Sequence, residues 1–566
     1  MFEPLMAVIV IPPPRPSPKP GPPPMSAVVS VWLESPAASS AARRPAGAVM
    51  APVARIPTAT RAAAPTPRRP ILAIRFGRGR STTTGSVVIW SMYASVLVRQ
   101  AAGSCQRSTG TTMPGLPEGF LRHRWGRHKG RRAETFEARP ASTGVMDGGF
   151  SLPPTRRLLG GPPLAGGREP LAEHRRRLGN PARGLTGEEL IEALETSGLL
   201  GRGGAGFPVG AKWRRMAEVG QRRPVILVNG AEGEPLSAKD RVLMGVRPHL
   251  VLDGAALAAE ALDAEEIVVY IGEEHGAARE SIEQAIAERL VAGEGFGRPI
   301  RLVAAPMGYV SGEASAAVNR VNTGSALPTV SPPRPSEVGV AGRPTLVQNV
   351  ESLAYAALIG MFGADWYREM GRLGSRGTAL VTVGGEVARR GVREIELGMS
   401  LGELADAAGA DRGTTRAVLV GGYFGSWIDA AEAWSLPLDP AIMRERGLSF
   451  GCGLVWFLPG GACPVAATAR IMAFMAGNSA GQCGPCVLGL GAISNAMSGL
   501  AGGDGSKDDL ARIERWAGMV RGRGACRHPD GAVEVLTSAL RTFPAELEVH
   551  AGGTACGTTA SCRRAA

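Results

Sequence analysis

The residues best suited to chemistry lie near the C-terminus. In "SAGQCGPC" (479–486) two thiols, Cys483 and Cys486, stand three residues apart, and Cys526 follows 40 residues after Cys486. Cysteines spaced in this way suit an iron–sulfur cluster, which takes four thiolates as a rule, or tetrahedral zinc. Three residues before Cys483, where another thiol would extend the spacing, stands Ala480. A fourth ligand would then have to come from Ser479, from Cys452, Cys463 or Cys556, or from outside the chain. A three-iron cluster and purely structural thiols remain open as well. Cys463 lies 17 residues before Ala480, and Pro464 opens a helical stretch between them. At about 1.5 Å of rise per residue such a helix holds the two roughly 20 Å apart. His528, two residues beyond Cys526, reads as a cap for the next helix rather than a ligand.

Anion chemistry is concentrated in "GRGGAGFPVGAKW" (201–213). Gly201, Gly203, Gly204 and Gly206 allow backbone amides to approach an anion at turn angles that a β-carbon would forbid. Arg202 and Lys212 add positive charge. A phosphate cradle is one reading and a flexible glycine turn is the other. The loop is neither a Walker sequence nor the usual dinucleotide fingerprint. Three further loops are rich in polar residues: "VNGAEGEPLSAKDR" (228–241) with Asn229, Glu232 and Glu234, "YVSGEAS" (309–315) with Gly312 and Glu313, and "GRPTLVQNVES" (342–352) with Asn349. The first follows a strand, at the edge where open α/β sheets take ligands.

These loops need a scaffold, and the apolar pattern supplies one. "TGEELIEALETSGL" opens with Thr186 and Glu189 at capping-box spacing. "PVILVNG", "EEIVVYIG" and "PIRLVAAP" read as strands, separated by helical "PHLVLDGAALAAEAL" and "GAARESIEQAIAERL". This alternation predicts an α/β fold with a largely parallel, helix-covered sheet. Near 376 the texture changes to "GTALVTVGGEV", "REIELGMSLGELADAAG" and "TRAVLVGGYFGSWI", which suit a small α+β module. From Pro464 the chain reads as helical. Leu490, Ile493 and Met497 share a face, as do Leu510, Ile513, Trp516 and Val520, and Val533, Leu536 and Leu540. With "PVAATARIMAFMAG" that predicts four helices short enough to form a bundle.

The net charge of +13 is confined to one end. Residues 1–145 hold 20 Lys and Arg against 5 Asp and Glu, so the rest is close to neutral and no nucleic-acid partner is expected. "IPPPRPSPKPGPPP" favours extended polyproline, and "LRHRWGRHKGRR" has no apolar face. Residues 1–145 therefore read as a disordered or non-native leader, with Met146 as a plausible true start. "GSVVIWSMYASVLV" (85–98) is short of the about 20 residues that a membrane span needs, and no signal peptide is read. Seven of the 8 cysteines follow residue 450, which is no disulfide scaffold in a chain this long. A cytoplasmic protein is expected, not membrane-spanning, with room for peripheral attachment to a membrane reductase.

In this order, "GRGGAGFPxGxKW", "VNxxEGEPxxxKDR", "GYxxGE", "GxPTxxxNVE" and "SxGxCxPC" resemble the F subunit of bacterial NADH-quinone oxidoreductase, the FMN-carrying flavoprotein of complex I, and its hydrogenase and formate dehydrogenase relatives. The resemblance runs from about 195 to 540. It implies an FMN- and nicotinamide-binding α/β domain (146–372), a β-grasp domain (373–458) and a four-helix iron–sulfur bundle (459–545), followed by a tail (546–566). It places Gly201, Arg202, Gly203, Gly204 and Lys212 around the FMN phosphate. Asn229, Glu232, Gly312, Glu313 and Asn349 would line the flavin, with Phe207 and Glu234 at the nicotinamide nucleotide. Cys483, Cys486 and Cys526 would hold a [4Fe–4S] cluster. Hydride from NADH, or NADPH, would enter at FMN, and electrons would leave through the cluster to a ferredoxin or another redox protein.

The departures from the family pattern are specific. "NADEGEP" is here "NGAEGEP", with Ala231; "CGEE" is "SGEA", with Ala314; "NNVET" is "QNVES", with Gln348; and "SCGxCxPC" has Ala480. Losing two carboxylates should raise the flavin potential and weaken contacts to nucleotide hydroxyls. Such changes suit a divergent, stand-alone branch with NAD(P)H dehydrogenase-like activity. The alternative is a non-catalytic scaffold that keeps the fold without hydride transfer.

Overall fold

Short apolar runs become the strands of two separate sheets in the computed structural model, which describes residues 156–180, 185–219 and 222–553. The basic leader, Met146, Cys105, Cys556 and Cys562 lie outside the described residues.

The first sheet follows three helices: α1 (Leu171–Leu178), α2 (Gly187–Ser197) and α3 (Val209–Glu218). Thr186 and Glu189 form the predicted capping box of α2. Then come β1 (Val225–Gly230), α4 (Lys239–Val246), α5 (Pro248–Ala261), β2 (Glu266–Gly272), α6 (Gly276–Val291), β3 (Ile300–Ala305), α7 (Ala314–Thr323), β4 (Thr345–Asn349) and α8 (Val350–Arg368). All four strands are parallel, in the order β3-β2-β1-β4. Strand periodicity divides their side chains between two cores. Ile226, Val228, Ile267 and Val269 pack beneath α5 and α8, while Val225, Leu227, Val268 and Tyr270 pack with Ala317 and Val318 of α7. Burial on both faces is why these strands read as continuous apolar runs.

The second sheet is mixed: β5 (Thr378–Gly385), β6 (Gly391–Glu396), β7 (Thr415–Val420), β8 (Ser426–Asp429) and β9 (Leu454–Pro459), in the order β6-β5-β9-β7-β8. The sequence pattern suggests three strands here. The apolar run "LVWFLP" supplies β9, the central one, parallel to β5 and antiparallel to β7. Between the strands lie α9 (Leu401–Ala408), α10 (Ala430–Ala433) and α11 (Pro440–Glu445). One face of this sheet packs on α9 through Val418, Val420, Val455 and Phe457.

The other face, with Ala417, Leu419 and Leu458, joins a helical core. That core is built by α12 (Pro464–Gly477), α13 (Gly491–Gly502), α14 (Lys507–Val520), α15 (His528–Thr542) and α16 (Pro544–Ala551). A π-helical turn, Pro485–Leu490, leads into α13. Pro485–Gly502 is long and apolar enough to cross a membrane by length and composition. Its Leu490, Ile493, Met497 and Leu500 are buried in the helical core.

Candidate functional site

Strand order reverses between β1 and β4, because the chain leaves β1 towards β2 and β3 and returns on the opposite side. Open parallel sheets bind ligands at the carboxyl ends of strands at such a point. Asn229 and Asn349 stand opposite each other there. Asn229 Nδ2 donates to the Gly312 carbonyl (2.8 Å), and its Oδ1 accepts from the Ala231 amide (3.2 Å). Asn349 caps α8 by accepting from the Glu351 amide (3.0 Å) and donates to Asp240 Oδ2 (2.8 Å). Gly203 lies against this pair: a β-carbon on it would stand 3.4 Å from Asn349 Cβ. Gly204, at φ +108°, has open space on that side. The crevice therefore brings together the glycine loop, both asparagines and the Gly312–Glu313 turn. Glu313 itself caps α7, accepting from the amides of Ser315 and Ala316 (2.9 and 3.0 Å).

The two cations of the glycine loop part company. Arg202 is turned into the protein and is only 3 % exposed. Its Nη2 donates to Tyr367 Oη (3.2 Å) and the Thr378 carbonyl (3.1 Å), and its Nε lies 3.6 Å from Glu351. Only its backbone amide serves the loop, donating to Ser352 Oγ (2.9 Å). The guanidinium thus points inward beside Glu351, with Nε and Nη1 buried and without hydrogen-bond partners. Lys212, on α3, donates to the Val347 carbonyl. It has no carboxylate partner among the described residues, and burial pushes its pKa down to about 8. Half-buried and with a neutral carbonyl as its partner, it is the cation of this loop placed to meet an anion.

Below the crevice runs a network that the sequence did not disclose. Lys239 Nζ is 2.7 Å from Asp240 and 2.9 Å from Glu351. Glu232 accepts from Ser237 Oγ (2.5 Å) and the Asp240 amide (3.2 Å), so its carboxylate is spent on protein donors. Burial and the neighbouring carboxylates raise the pKa of Asp240 while Lys239 opposes them. Lys239 and Asp240 belong to the quoted "KDR", but their burial could be known only from the packing. Gln348 is buried with Oε1 unpartnered.

Glu234 is held between the two sheets. Its Oε2 accepts from the Tyr423 amide (2.8 Å) and Tyr309 Oη (3.1 Å), while Oε1 has no partner. A β-carbon on Gly422 would lie 2.6 Å from Oε2 and 2.9 Å from Cys452 Sγ, so a glycine is required at this approach. Burial pushes the Glu234 carboxyl up to about 7. A raised carboxyl favours folding when protonated, and that advantage is lost as pH rises from the usual 4.5 through about 7. Glu234→Gln, which does not titrate, is therefore expected to be more stable than the parent by about 2–3 kcal/mol at pH 8 and equal to it near pH 4.5. Urea unfolding at the two pH values measures this. Equal stability at both would mean that the carboxyl is solvated.

Phe207, by contrast, is 57 % exposed at the tip of the glycine loop, free to stack on a ring. Tyr309 was missed by sequence reasoning, although it belongs to the "GYxxGE" motif. Its ring packs 4.9 Å from Phe424, 5.6 Å from His528 and 6.0 Å from Phe474. His528 opens α15 without capping it; its Nε2 lies 2.8 Å from the Met475 carbonyl and ties α15 to α12. Tyr309 thus links Glu234 to the helix that follows Cys526.

The cysteines divide into two groups. Burial alone would raise the Cys483 pKa, but hydrogen bonds from the amides of Ala525 and Cys486 and from the Cys486 thiol outweigh it and lower it. Cys486 is pushed up to about 12 by burial and by the Cys483 and Cys526 thiols. Cys526 is raised by burial and then by Glu313 and Cys483. Cys483 and Cys486 hydrogen-bond to each other and to amides, while Cys526 bonds to the His528 amide and feels Cys483 and Glu313 electrostatically. Among the described residues no three metal-binding side chains close on one point. Cys463 is elsewhere, buried at the start of α12 with Sγ 3.3 Å from His550 Nε2. Cys452 is beside Glu234. Neither belongs to the group of three.

The chain matches the family described as Nuo51 FMN-binding domain over residues 194–357 and the NADH-ubiquinone oxidoreductase-F iron–sulfur binding region over 466–550. It is 33 % identical over 376 residues to the F subunit, copy 2, of NADH-quinone oxidoreductase in Rhizobium meliloti (strain 1021), an alignment covering 64 % of this chain and 89 % of that protein. It is 30 % identical over 384 residues to the F subunit of NADH-quinone oxidoreductase in Streptomyces coelicolor, covering 66 % and 86 %. Among solved structures it is similar to a chain of NAD+-reducing [NiFe]-hydrogenase in the air-oxidized state, with a TM-score of 0.60 and 32 % identity, over 64 % of this chain and 63 % of that one.

Proposed function

The chain belongs to the family of F subunits of NADH-quinone oxidoreductase, and from that premise we propose how its residues serve an NADH-oxidising electron-transfer protein with FMN and a [4Fe–4S]-type cluster. The observation that carries the assignment of sites is the crevice at the β1/β4 switch point. It gathers a glycine loop, a half-buried lysine with no carboxylate partner among the described residues and two side-by-side asparagines, and its Glu313 acts electrostatically on Cys526.

The crevice suits FMN. Lys212 and the amides of Gly203 and Gly204 would hold the phosphate, while the Gly201 amide is spent on the Phe207 carbonyl (2.8 Å) and closes the loop. Asn229, Asn349, Gly312 and Glu313 would border the flavin, with Gln348 Oε1 free to accept a hydrogen bond. Arg202 and Glu232 support this wall from within. Phe207 offers a ring face to the nicotinamide nucleotide, and Glu234 offers an unpartnered oxygen to its hydroxyl or amide groups. Cys483, Cys486 and Cys526 would hold the cluster, with the fourth position open at Ala480. When bound, FMN supplies two-electron exchange with NADH and the cluster supplies one-electron exchange with a partner. The residues present would orient the nucleotide, neutralise phosphate and keep Cys526 within electrostatic reach of Glu313.

We read 146–372 as the FMN domain, 373–458 as a β-grasp domain and 459–545 as a four-helix iron–sulfur bundle; the stretch expected as a tail, 546–566, starts inside the helical core, because α16 packs Leu547 and Ala551 there. We take the acceptor to be a soluble redox protein such as a ferredoxin, in the cytoplasm, where thiols stay reduced. A visible spectrum tests the reading. Flavin bands with a broad brown shoulder, both bleached by NADH, are expected; a colourless protein that takes up neither group would leave only the scaffold reading, which Ala231, Ala314 and Ala480 favour.

Lys212 gives a sharper test. Phosphate binding requires its amine to be protonated, so FMN affinity should hold up to about pH 8 and then weaken by up to about tenfold per pH unit as the free amine loses its proton. Lys212→Met should bind FMN more weakly at pH 7 and lose that pH dependence. Flavin fluorescence titration between pH 7 and 10 reads both effects. Parallel curves for parent and variant would remove Lys212 from the phosphate site.

A further inference from the structure

Arg444 stands apart from the other arginines near the crevice. It is exposed on α11 and forms no ion pair among the described residues. The helix that carries it is capped. Asp439 caps α11, accepting from the amides of Ala441 and Ile442 (2.8 and 2.9 Å), and acts electrostatically on buried Arg202 behind the glycine loop. One turn further on, Arg444 Nη2 lies 2.8 Å from where a β-carbon on Gly206 would stand. Gly206 has φ +62°, a conformation that glycine adopts freely, and its neighbour is exposed Phe207. A cation from the second sheet's helix is thus laid over the tip of a loop from the first sheet, beside a free aromatic ring. The carboxylates that the family pattern would place at 231 and 314 are alanines.

We propose that Arg444 is a phosphate-binding residue of the dinucleotide site, closing over Gly206 and Phe207 to pair with a phosphate of the adenosine half of the nicotinamide substrate. This rests on the reading of Phe207 as the surface on which the nucleotide stacks. The phosphate has two sources, the diphosphate bridge common to both nicotinamide dinucleotides and the 2′-phosphate of NADPH. A planar guanidinium suits either through paired hydrogen bonds.

The test is calorimetric titration of FMN-loaded protein with NAD+, NADP+ and ADP-ribose, comparing the parent with Arg444→Ala and Arg444→Lys. The oxidised nucleotides avoid turnover. Arg444→Ala is expected to weaken binding by about tenfold or more, with part recovered in Arg444→Lys and FMN content unchanged. A loss shared by all three ligands identifies the diphosphate, and a loss confined to NADP+ identifies the 2′-phosphate. Affinities within twofold for every ligand would overturn the proposal, and so would loss of FMN without loss of dinucleotide affinity. A parent that binds FMN but none of the three ligands would overturn the substrate reading on which it stands.

Discussion

Cys526→Ala is expected to bring iron and acid-labile sulfide in anaerobically purified protein down to background while FMN is retained. Cys483 and Cys486 share one short segment, and two thiols three residues apart cannot enclose a cuboid cluster. Cys526 arrives from the far side of α14 and is the one long-range thiol beside them among the described residues. Neither of the other described cysteines can take its place. Cys463 is buried against His550, and Cys452 lies at Glu234. The reciprocal change is as informative. Ala480 is half-buried just before the pair. Ala480→Cys should supply the missing thiolate, raise iron towards about four atoms per chain and slow bleaching in air. The parent, with three thiols, should lose iron readily and show a three-iron paramagnetic signal when oxidised. If the parent holds no iron and Ala480→Cys gains none, the site is vestigial and any electrons rest on flavin alone.

Arg202→Ala is expected to destabilise the whole protein, by about 3–5 kcal/mol, before any effect on flavin is felt. The guanidinium is buried among Tyr367, Thr378 and Glu351. Removing it leaves Glu351, fully buried, with Lys239 as its remaining cation, and frees the Thr378 carbonyl of a donor. That carbonyl opens β5, so the damage should spread from the first sheet to the second. Chemical denaturation, with the flavin removed from parent and variant alike, separates this from phosphate binding. If the flavin-free proteins unfold at the same denaturant concentration, the inward ion pair contributes nothing and the residue's role lies with the ligand.

The contrast between Arg202 and Lys212 shows how far the sequence reaches. Both were legible as cations of one glycine loop. Their rotamers were not, because Tyr367 and Thr378 lie 165 and 176 residues away along the chain. Glu232 and Glu234 are two residues apart, yet one is satisfied by Ser237 and Asp240 while the other spans to Tyr309 and Tyr423. His528, read as a cap, instead reaches across to the Met475 carbonyl.

What the sequence determined by itself is local. Strand periodicity, the Thr186 capping box, the glycine loop and the thiol spacing depend on neighbours within about one turn or one strand, so they give the parallel sheet and the order of the motifs. Tertiary structure decided which of those side chains face a ligand. It inserted β9 between β5 and β7, set Asn229 beside Asn349, turned Arg202 inward, half-buried Lys212 away from any described carboxylate and laid Arg444 over Gly206. Burial and charge pairing are properties of surfaces brought together from distant parts of the chain. No spacing within one segment encodes them.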